Sequence, residues 1–189
     1  MKLSVLTICF IHLFQFTSFA QKENTAAIFM HHMNEILDTT DVSLIRTYSL
    51  KKVLGNSSEK TFLEDHIQFI LKTAIDSAYI SKKEEKELRK QYTILLKPFD
   101  WSSVNEWNKN VSIIDSISFT KESKPICQYI SHPITSKDSR VWLTLTSRNW
   151  SNISTFTSIN IYELKDKKMK CIYHETISIK DSWIDSIGW

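Results

Sequence analysis

The side chains best suited to bind a ligand lie together at residues 148–152, Arg-Asn-Trp-Ser-Asn. We expect this segment to be the longest turn of a β-meander. An indole ring offers a flat apolar face, and guanidinium and amide groups beside it donate hydrogen bonds, a combination used in protein and carbohydrate binding. The sequence therefore predicts Arg148 and Trp150 as ligand-binding residues. The alternative is that Trp150 folds back over the edge of the sheet.

Three side chains in the first half of the chain are of types that bind metals. His31 and Glu35 are four residues apart, so they share a helix face, and His66 would be a third ligand. The H-E-x-x-H pattern that marks a specific zinc site is absent. An apolar stripe at helical spacing also leaves positions 31, 32 and 35 on the solvent side. Its members are Ala26, Phe29, Met30, Met33, Ile36 and Leu37. We therefore predict a polar surface here and no metal site.

Catalytic arrangements are weak in this sequence. His132 would have to reach Cys127 to form a thiol–imidazole pair, and the alternative is a core or disulfide cysteine with a separate surface histidine. His174 and Glu175 are adjacent on a predicted strand, so they point to opposite faces. The scattered aspartates have no spacing that selects a glycosidase pair. We predict no catalytic residue, and the sequence favours binding over catalysis.

Glycine is scarce, with Gly55 and Gly188 its two occurrences. Phosphate and dinucleotide loops need clustered glycines, which let backbone N–H groups approach the ligand. The G-x-S-x-G elbow of the α/β-hydrolases needs two glycines around one serine. The composition excludes both classes, and we expect no cofactor.

The charge distribution argues against nucleic-acid binding. The net charge is +3, and the densest charged run, residues 82–90, alternates in sign, as a solvated helix face does. A nucleic-acid site needs a basic stripe or patch. We expect no nucleic-acid partner.

The first twenty residues have the pattern of an export signal. Lys2 supplies a basic start, residues 3–16 are mostly apolar, and Ser18-Phe19-Ala20 is a small-x-small cleavage pattern. We predict cleavage after Ala20 and a secreted or periplasmic protein. The alternative is a retained anchor. The apolar run is interrupted and shorter than about 18 residues, so we expect no stable membrane anchor.

Two of the three cysteines remain after that cleavage. Cys9 leaves with the signal, and an even pair in an exported chain predicts one disulfide between Cys127 and Cys171. The alternative is two buried thiols that pack as small apolar side chains.

The two halves of the chain predict different secondary structure. Residues 24–98 have apolar positions at helical spacing, capping boxes that start at Thr61 and Ser81, and Pro98 at the end. Residues 101–189 alternate β-branched and aromatic residues with polar turns. We predict strands at 113–119, 127–131, 140–147, 156–164 and 169–178, and turns at 136–139 and 166–168. The fold class is α+β, with N-terminal helices packed on one face of a C-terminal antiparallel β-meander in one domain, 21–189.

Residues 41–55 fit two structures. The alternation of apolar residues suits a strand, whereas a cap at Asp41 and an exit at Gly55 suit a helix. The sequence leaves both open.

Several segments resemble small secreted proteins of Bacteroidota, over roughly residues 60–175. In that group a "PIFS.D..YA" strand precedes a short-turn hairpin that ends in a "YK..GKW" strand. The corresponding segments are ISHPITSKDSRVWLTLTS and INIYELKDKKMKCIYHE, preceded by ISKKEEKELRKQY and LKPFDW. This chain departs from the group at Thr135, Val141 and Trp142 and lacks its glycines. The resemblance implies export and this fold and carries no function.

These features predict an exported protein that binds a protein or a glycan. The alternative is a hydrolase whose catalytic residues are dispersed along the chain. An exposed aromatic surface would favour binding. A pocket holding two carboxylates, or a histidine with a cysteine or serine, would favour hydrolysis.

Overall fold

The computed structural model describes residues 25–33, 42–45, 47–48, 59–104, 111–114, 126–149 and 155–180. Within these ranges helix α1 covers residues 25–33, α2 Glu59–Asp76 and α3 Lys82–Arg89. Short 3-10 turns follow at Tyr92–Ile94 and Trp101–Ser103. The strands are β1 Val42–Ile45, β2 Thr47–Tyr48, β3 Phe99–Asp100, β4 Val111–Ile114, β5 Ile126–Ile130, β6 Ile134–Thr135, β7 Val141–Asn149, β8 Thr155–Lys165 and β9 Lys168–Lys180.

The main sheet has the strand order β4-β1-β5-β7-β8-β9, and β6 pairs with β7 outside this path. From β5 to β9 neighbouring strands run antiparallel, which confirms the predicted α+β class and its meander. The strands predicted at 127–131, 140–147, 156–164 and 169–178 correspond to β5, β7, β8 and β9. The strand predicted at 113–119 overlaps β4, and its residues 115–119 lie outside the described residues.

The ambiguous segment 41–55 forms strands where the structure describes it. β1 lies between β4 and β5 and runs parallel to both, with Val42 opposite Val111 and Ile126. β2 pairs antiparallel with β3 in a separate two-stranded sheet. The strand interpretation is therefore correct for 42–45 and 47–48. The remaining residues of the segment lie outside the described ranges.

Helix α2 packs on one face of the main sheet. Its buried stripe is Leu63, Ile67, Ile70, Leu71 and Ala74. Leu143 and Leu145 of β7 and Ile159 and Ile161 of β8 belong to the same core cluster. Burial of each such leucine or isoleucine contributes about 1.5–3 kcal/mol, so the hydrophobic effect holds α2 on the sheet.

The predicted helix ends are confirmed in part. Ser81 caps α3 as predicted: its Oγ accepts from the Glu84 N–H (3.3 Å), and the Glu84 carboxylate accepts from the Ser81 N–H (2.7 Å). Helix α2 begins at Glu59, so the predicted cap Thr61 lies inside the first turn. Helix α3 ends at Arg89, and a 3-10 turn rather than an α-helix leads to Pro98.

Helix α1 covers the opposite face of the sheet. The Phe29 ring lies 5.9 Å from Trp142 and 5.7 Å from Tyr162, centroid to centroid. The expectation that the helices lie on one face is therefore wrong. β7 buries Leu143 on one side and Trp142 on the other, and a strand with apolar residues on both sides needs cover on both.

The segment after α3 packs beside α1. Trp101 is fully buried, and its indole N–H donates to the Ile130 carbonyl at 2.7 Å. The Phe99 ring meets Trp101 edge-on at 4.8 Å. This hydrogen bond and ring contact fix the segment against the end of β5.

Ion pairs join α3 to the start of β7. The Arg140 guanidinium donates to both Glu84 carboxylate oxygens, at 2.7 and 2.8 Å, and to Glu163 of β8. The Lys137 N–H donates to the Glu87 carboxylate of α3 at 2.9 Å. These bonds position the predicted turn at 136–139, which the structure confirms with a bond from the Ser139 N–H to the Ser136 carbonyl (2.9 Å).

A two-residue turn joins β8 to β9, as predicted at 166–168. Asp166 and Lys167 have φ of 51° and 63° between the paired residues Lys165 and Lys168. Two successive left-handed residues match the type I′ hairpin turn, in which Asn-Gly is the preferred sequence. This turn sets the register of the last two strands.

Candidate functional site

The face of the sheet that α1 covers changes from apolar to polar along β7, β8 and β9. The row nearest α1 is Trp142, Tyr162 and Cys171. The following rows are Thr144, Asn160 and His174, then Thr146, Ser158 and Thr176, then Arg148 and Phe156. Residues directly opposite in antiparallel strands point to the same face. We call Thr146, Arg148, Phe156, Ser158, His174 and Thr176 the polar patch.

The pleat of the sheet spaces these side chains regularly. Neighbouring strands are about 4.8 Å apart, and successive residues on one face of a strand are about 6.7 Å apart. The polar patch is therefore a grid of hydroxyl, imidazole and guanidinium groups with one aromatic ring. Such a grid offers several hydrogen-bonding groups to one extended ligand.

Hydrogen bonds within the polar patch and from the neighbouring row position its side chains. Asn160, 8% exposed, donates from Nδ2 to the Thr146 hydroxyl at 2.8 Å. The Ser158 and Thr176 hydroxyl oxygens lie 3.4 Å apart across β8 and β9. Because the Thr146 oxygen accepts from Asn160, its own hydroxyl hydrogen remains to donate.

The outer rows of the polar patch reach solvent. His174 and Thr176 are exposed, and Thr146 and Ser158 are half-buried. Phe156 is 37% exposed and is one of the few large apolar side chains that the described residues leave exposed. An exposed aromatic ring beside fixed hydroxyls is an arrangement that binds a ligand having both apolar and polar faces.

The structure places Arg148 in strand β7 rather than in a turn. It is half-buried and lies between Gln128 of β5 and Phe156 of β8. Arg148 therefore belongs to the sheet, because β7 continues to Asn149. Trp150, the other predicted ligand-binding residue, lies outside the described residues.

The sheet places Cys127 and Cys171, the predicted disulfide pair, on strands that are not neighbours. Cys127 lies in β5 and Cys171 in β9, with β7 and β8 between them. Three strand spacings amount to about 14 Å, whereas bonded cysteines have Cα atoms within about 7 Å. Cys171 is instead a free, exposed cysteine. Partial desolvation raises the pKa of its thiol, which disfavours the nucleophilic thiolate.

The histidines considered for a metal site are not brought together. His31 lies on α1 and His66 on α2, and these helices pack on opposite faces of the sheet. Glu35 lies outside the described residues. Over the parts of the chain that the structure describes, no group of three or more His, Cys, Asp and Glu side chains could hold a metal ion.

The remaining histidines do not complete a catalytic pair. His132 is 5% exposed rather than at the surface, and its ring meets Phe99 edge-on at 4.7 Å. Cys127 is five positions earlier, about 15 Å along an extended chain. His174 is opposite Asn160 and Glu175 is opposite Ile159, so these two point to opposite faces, as the sequence predicts.

Reasoning from the sequence missed most of the polar patch. A usable signal was present: Thr144, Thr146 and Arg148 alternate with buried residues along β7, which is the period of one strand face. Phe156 and Thr176 join them only through cross-strand register. Two strands must be paired before such a site can be recognised.

No described helix is long and apolar enough to cross a bilayer. No protein-family model, curated protein or solved structure matches this chain, so the geometry of the sheet carries the functional argument.

Proposed function

We propose that this chain is an exported binding protein and that the polar patch binds a glycan. The observation that carries the proposal is the position of Phe156. Its ring is exposed, and Phe156 lies directly opposite Arg148. The neighbouring row on the same face of the sheet consists of Thr146, Ser158 and Thr176. No other described row of the sheet combines an exposed ring with neighbouring polar side chains.

The chemistry of the polar patch suits a sugar. A sugar ring presents an apolar C–H face that stacks on an aromatic ring, and hydroxyls that both donate and accept. Thr146, Ser158 and Thr176 are likewise donor and acceptor, and Arg148 has a guanidinium group, which only donates. The regular spacing of the rows fits a chain of repeating units better than a single small molecule.

Two observations favour binding over the hydrolase alternative. The raised pKa of the Cys171 thiol disfavours a nucleophilic role beside His174. Glu85, one of two carboxylates at a cleft between α2 and α3, is paired with Arg89 at 2.6 Å. A general acid must lie within hydrogen-bond reach of its substrate, and this carboxylate is instead held by an arginine side chain.

The test is calorimetric titration of the mature protein with neutral and acidic soluble oligosaccharides. Phe156→Ala should weaken binding about tenfold, the loss expected for an aromatic contact at a binding site. Thr176→Ala should weaken it by a smaller factor. Phe69→Ala is the matched control, because Phe69 is a 58% exposed phenylalanine of α2, on the other side of the sheet.

The binding of the variants distinguishes support for the proposal from its refutation. Weaker binding by the Phe156 and Thr176 variants, with no change in the Phe69 variant, supports the proposal. Absence of binding to every oligosaccharide in the panel, or equal losses in the Phe156 and Phe69 variants, overturns it. Circular dichroism of each variant shows that the fold is retained.

A further inference from the structure

A cleft of about 550 Å³ lies between α2 and α3. The α2 residues that line the cleft lie on the opposite side of the helix from the buried stripe, which includes Leu63 and Ile67. The cleft therefore opens away from the sheet. The side chains that decide its chemistry are Phe69, Lys72, Ile75, Lys82, Glu85 and Arg89. The cleft is thus separate from the polar patch.

Two of the residues that line the cleft, Phe69 and Ile75, are apolar. Phe69 is 58% exposed, and Ile75 is partly buried against the core cluster under α2. Six positions on an α-helix correspond to a rise of about 9 Å and a separation of about 120° around the axis, so the two side chains lie at opposite edges of the lining face of α2. These two apolar side chains are surrounded by polar and charged residues.

The rim of the cleft carries an excess of positive charge. Arg89 is neutralised by Glu85, whose carboxylate lies 2.6 Å from the arginine Nε. Lys72 and Lys82 make no ion pair among the residues that the structure describes, and Asp76 is the remaining acid. A ligand with negative charges beside an apolar face complements this rim.

We propose that the cleft binds an acidic amphipathic helix of a partner protein. A groove between two helices accepts the apolar side chains of a third at positions i, i+3, i+4 and i+7. Phe69 and Ile75 receive that apolar stripe, and Lys72 and Lys82 pair with carboxylates flanking it. Charge complementarity selects an acidic helix over a basic one.

The probe is a fluorescein-labelled peptide with leucines at helical spacing and glutamates on both flanks. Its controls are a scrambled peptide of the same composition and a peptide with lysine in place of glutamate. Fluorescence anisotropy with the mature protein at low salt measures the affinity. We expect binding of the amphipathic acidic peptide and at least about tenfold weaker binding of both control peptides.

Charge-matched variants locate the site. Lys72→Glu with Lys82→Glu should weaken binding at least about fivefold. Lys83→Glu with Lys90→Glu changes the net charge equally at exposed positions on a face of α3 that does not line the cleft and should leave the affinity within about twofold. Phe69→Ala should weaken peptide binding, whereas Tyr79→Ala, at another exposed aromatic residue, should not.

Three results overturn the proposal. One is failure of the acidic peptide to bind, and another is equal binding of the scrambled peptide. The third is self-association in sedimentation velocity that Phe69→Ala abolishes, which would identify a second copy of this chain as the occupant. None of these results depends on glycan binding, and Phe156→Ala should leave peptide binding unchanged.

Discussion

Glu84 and Arg140 are joined by two parallel hydrogen bonds, from Nε to Oε1 at 2.7 Å and from Nη2 to Oε2 at 2.8 Å. The Glu84 residue is 5% exposed, so its charge depends on this partner. Glu84 also caps α3 through Ser81. One carboxylate therefore holds the helix start and the strand start together.

Acid should weaken the fold through Glu84. Hydrogen bonds from Arg140, opposed by desolvation, lower the pKa of Glu84 from 4.5 to about 2. A lowered folded-state pKa stabilises the protein above the unfolded pKa, and this stability is lost as the pH falls from about 4.5 to about 2. The loss is at most about 3 kcal/mol. Urea unfolding at pH 7 and pH 3 measures it.

Glu84→Gln tests the assignment. We expect a loss of about 2–3 kcal/mol at pH 7 and a smaller further loss on acidification than in the parent. Glu85→Gln removes the partly exposed ion pair with Arg89. We expect it to lower the free energy of unfolding by less than about 0.5 kcal/mol. An unchanged acid dependence in Glu84→Gln would assign the pH effect to other groups.

Trp101→Phe should destabilise the protein because it leaves the Ile130 carbonyl without its hydrogen-bond donor. The indole N–H of Trp101 is the buried donor to Ile130 at 2.7 Å, and a buried carbonyl without its donor costs about 1–3 kcal/mol. Trp142→Phe is the control: its partner, the Ser139 carbonyl (2.7 Å), belongs to a half-exposed residue and can be hydrated. Thermal unfolding of both variants should give the larger loss for Trp101→Phe. Equal losses would point to ring packing alone.

Lys167→Gly should stabilise the β8–β9 hairpin. Lys167 has φ of 63°, a conformation that costs a residue with a Cβ about 1–2 kcal/mol and that glycine adopts freely. Part of this gain is offset by glycine's greater freedom in the unfolded chain, so we expect about 0.5 kcal/mol. Lys165→Gly, on the adjoining strand, should destabilise instead. A loss of stability in Lys167→Gly would show that the turn has another geometry.

Peptide mapping without reduction should find no peptide linking Cys127 to Cys171, because two strands separate them. Cys171→Ser should leave the melting temperature within about 2 °C, since an exposed cysteine contributes little to packing. A crosslinked peptide from the monomer would require a different strand order.

The mature protein should begin at Gln21. Mass spectrometry of the exported form, expressed from the full-length gene, checks the expected cleavage after Ala20. Recovery of intact Met1 in the membrane fraction would contradict export by a cleaved signal and support the anchor alternative.

Local sequence was enough to predict most of the meander. β7, β8 and β9 are long and have β-branched alternation, and a short polar turn joins β8 to β9. Each of these signals spans few residues. The insertion of β1 was not predictable in the same way. Its partners begin at Val111 and Ile126, and the four residues Val-Ser-Leu-Ile carry no information about which distant strand they will join.

The residues of the candidate site also differ in whether the sequence alone could predict them. Arg148 was recognised from its own residue type, whereas Phe156 became a site residue only by lying opposite it. The disulfide prediction depends on strand order in the same way. An even count in an exported chain indicates pairing, but strand order decides whether two cysteines can meet.

The position of β1 also sets an order of assembly. Within the described sheet β4 contacts β1 and no other strand, so β4 is connected to β5 only through β1. The chain emerges from the ribosome amino-terminus first, and β1 is therefore synthesised long before either neighbour. The hairpins of β7, β8 and β9 close early because their contacts are local. We expect the parallel strands to add after these hairpins, because their contacts join residues far apart in the chain.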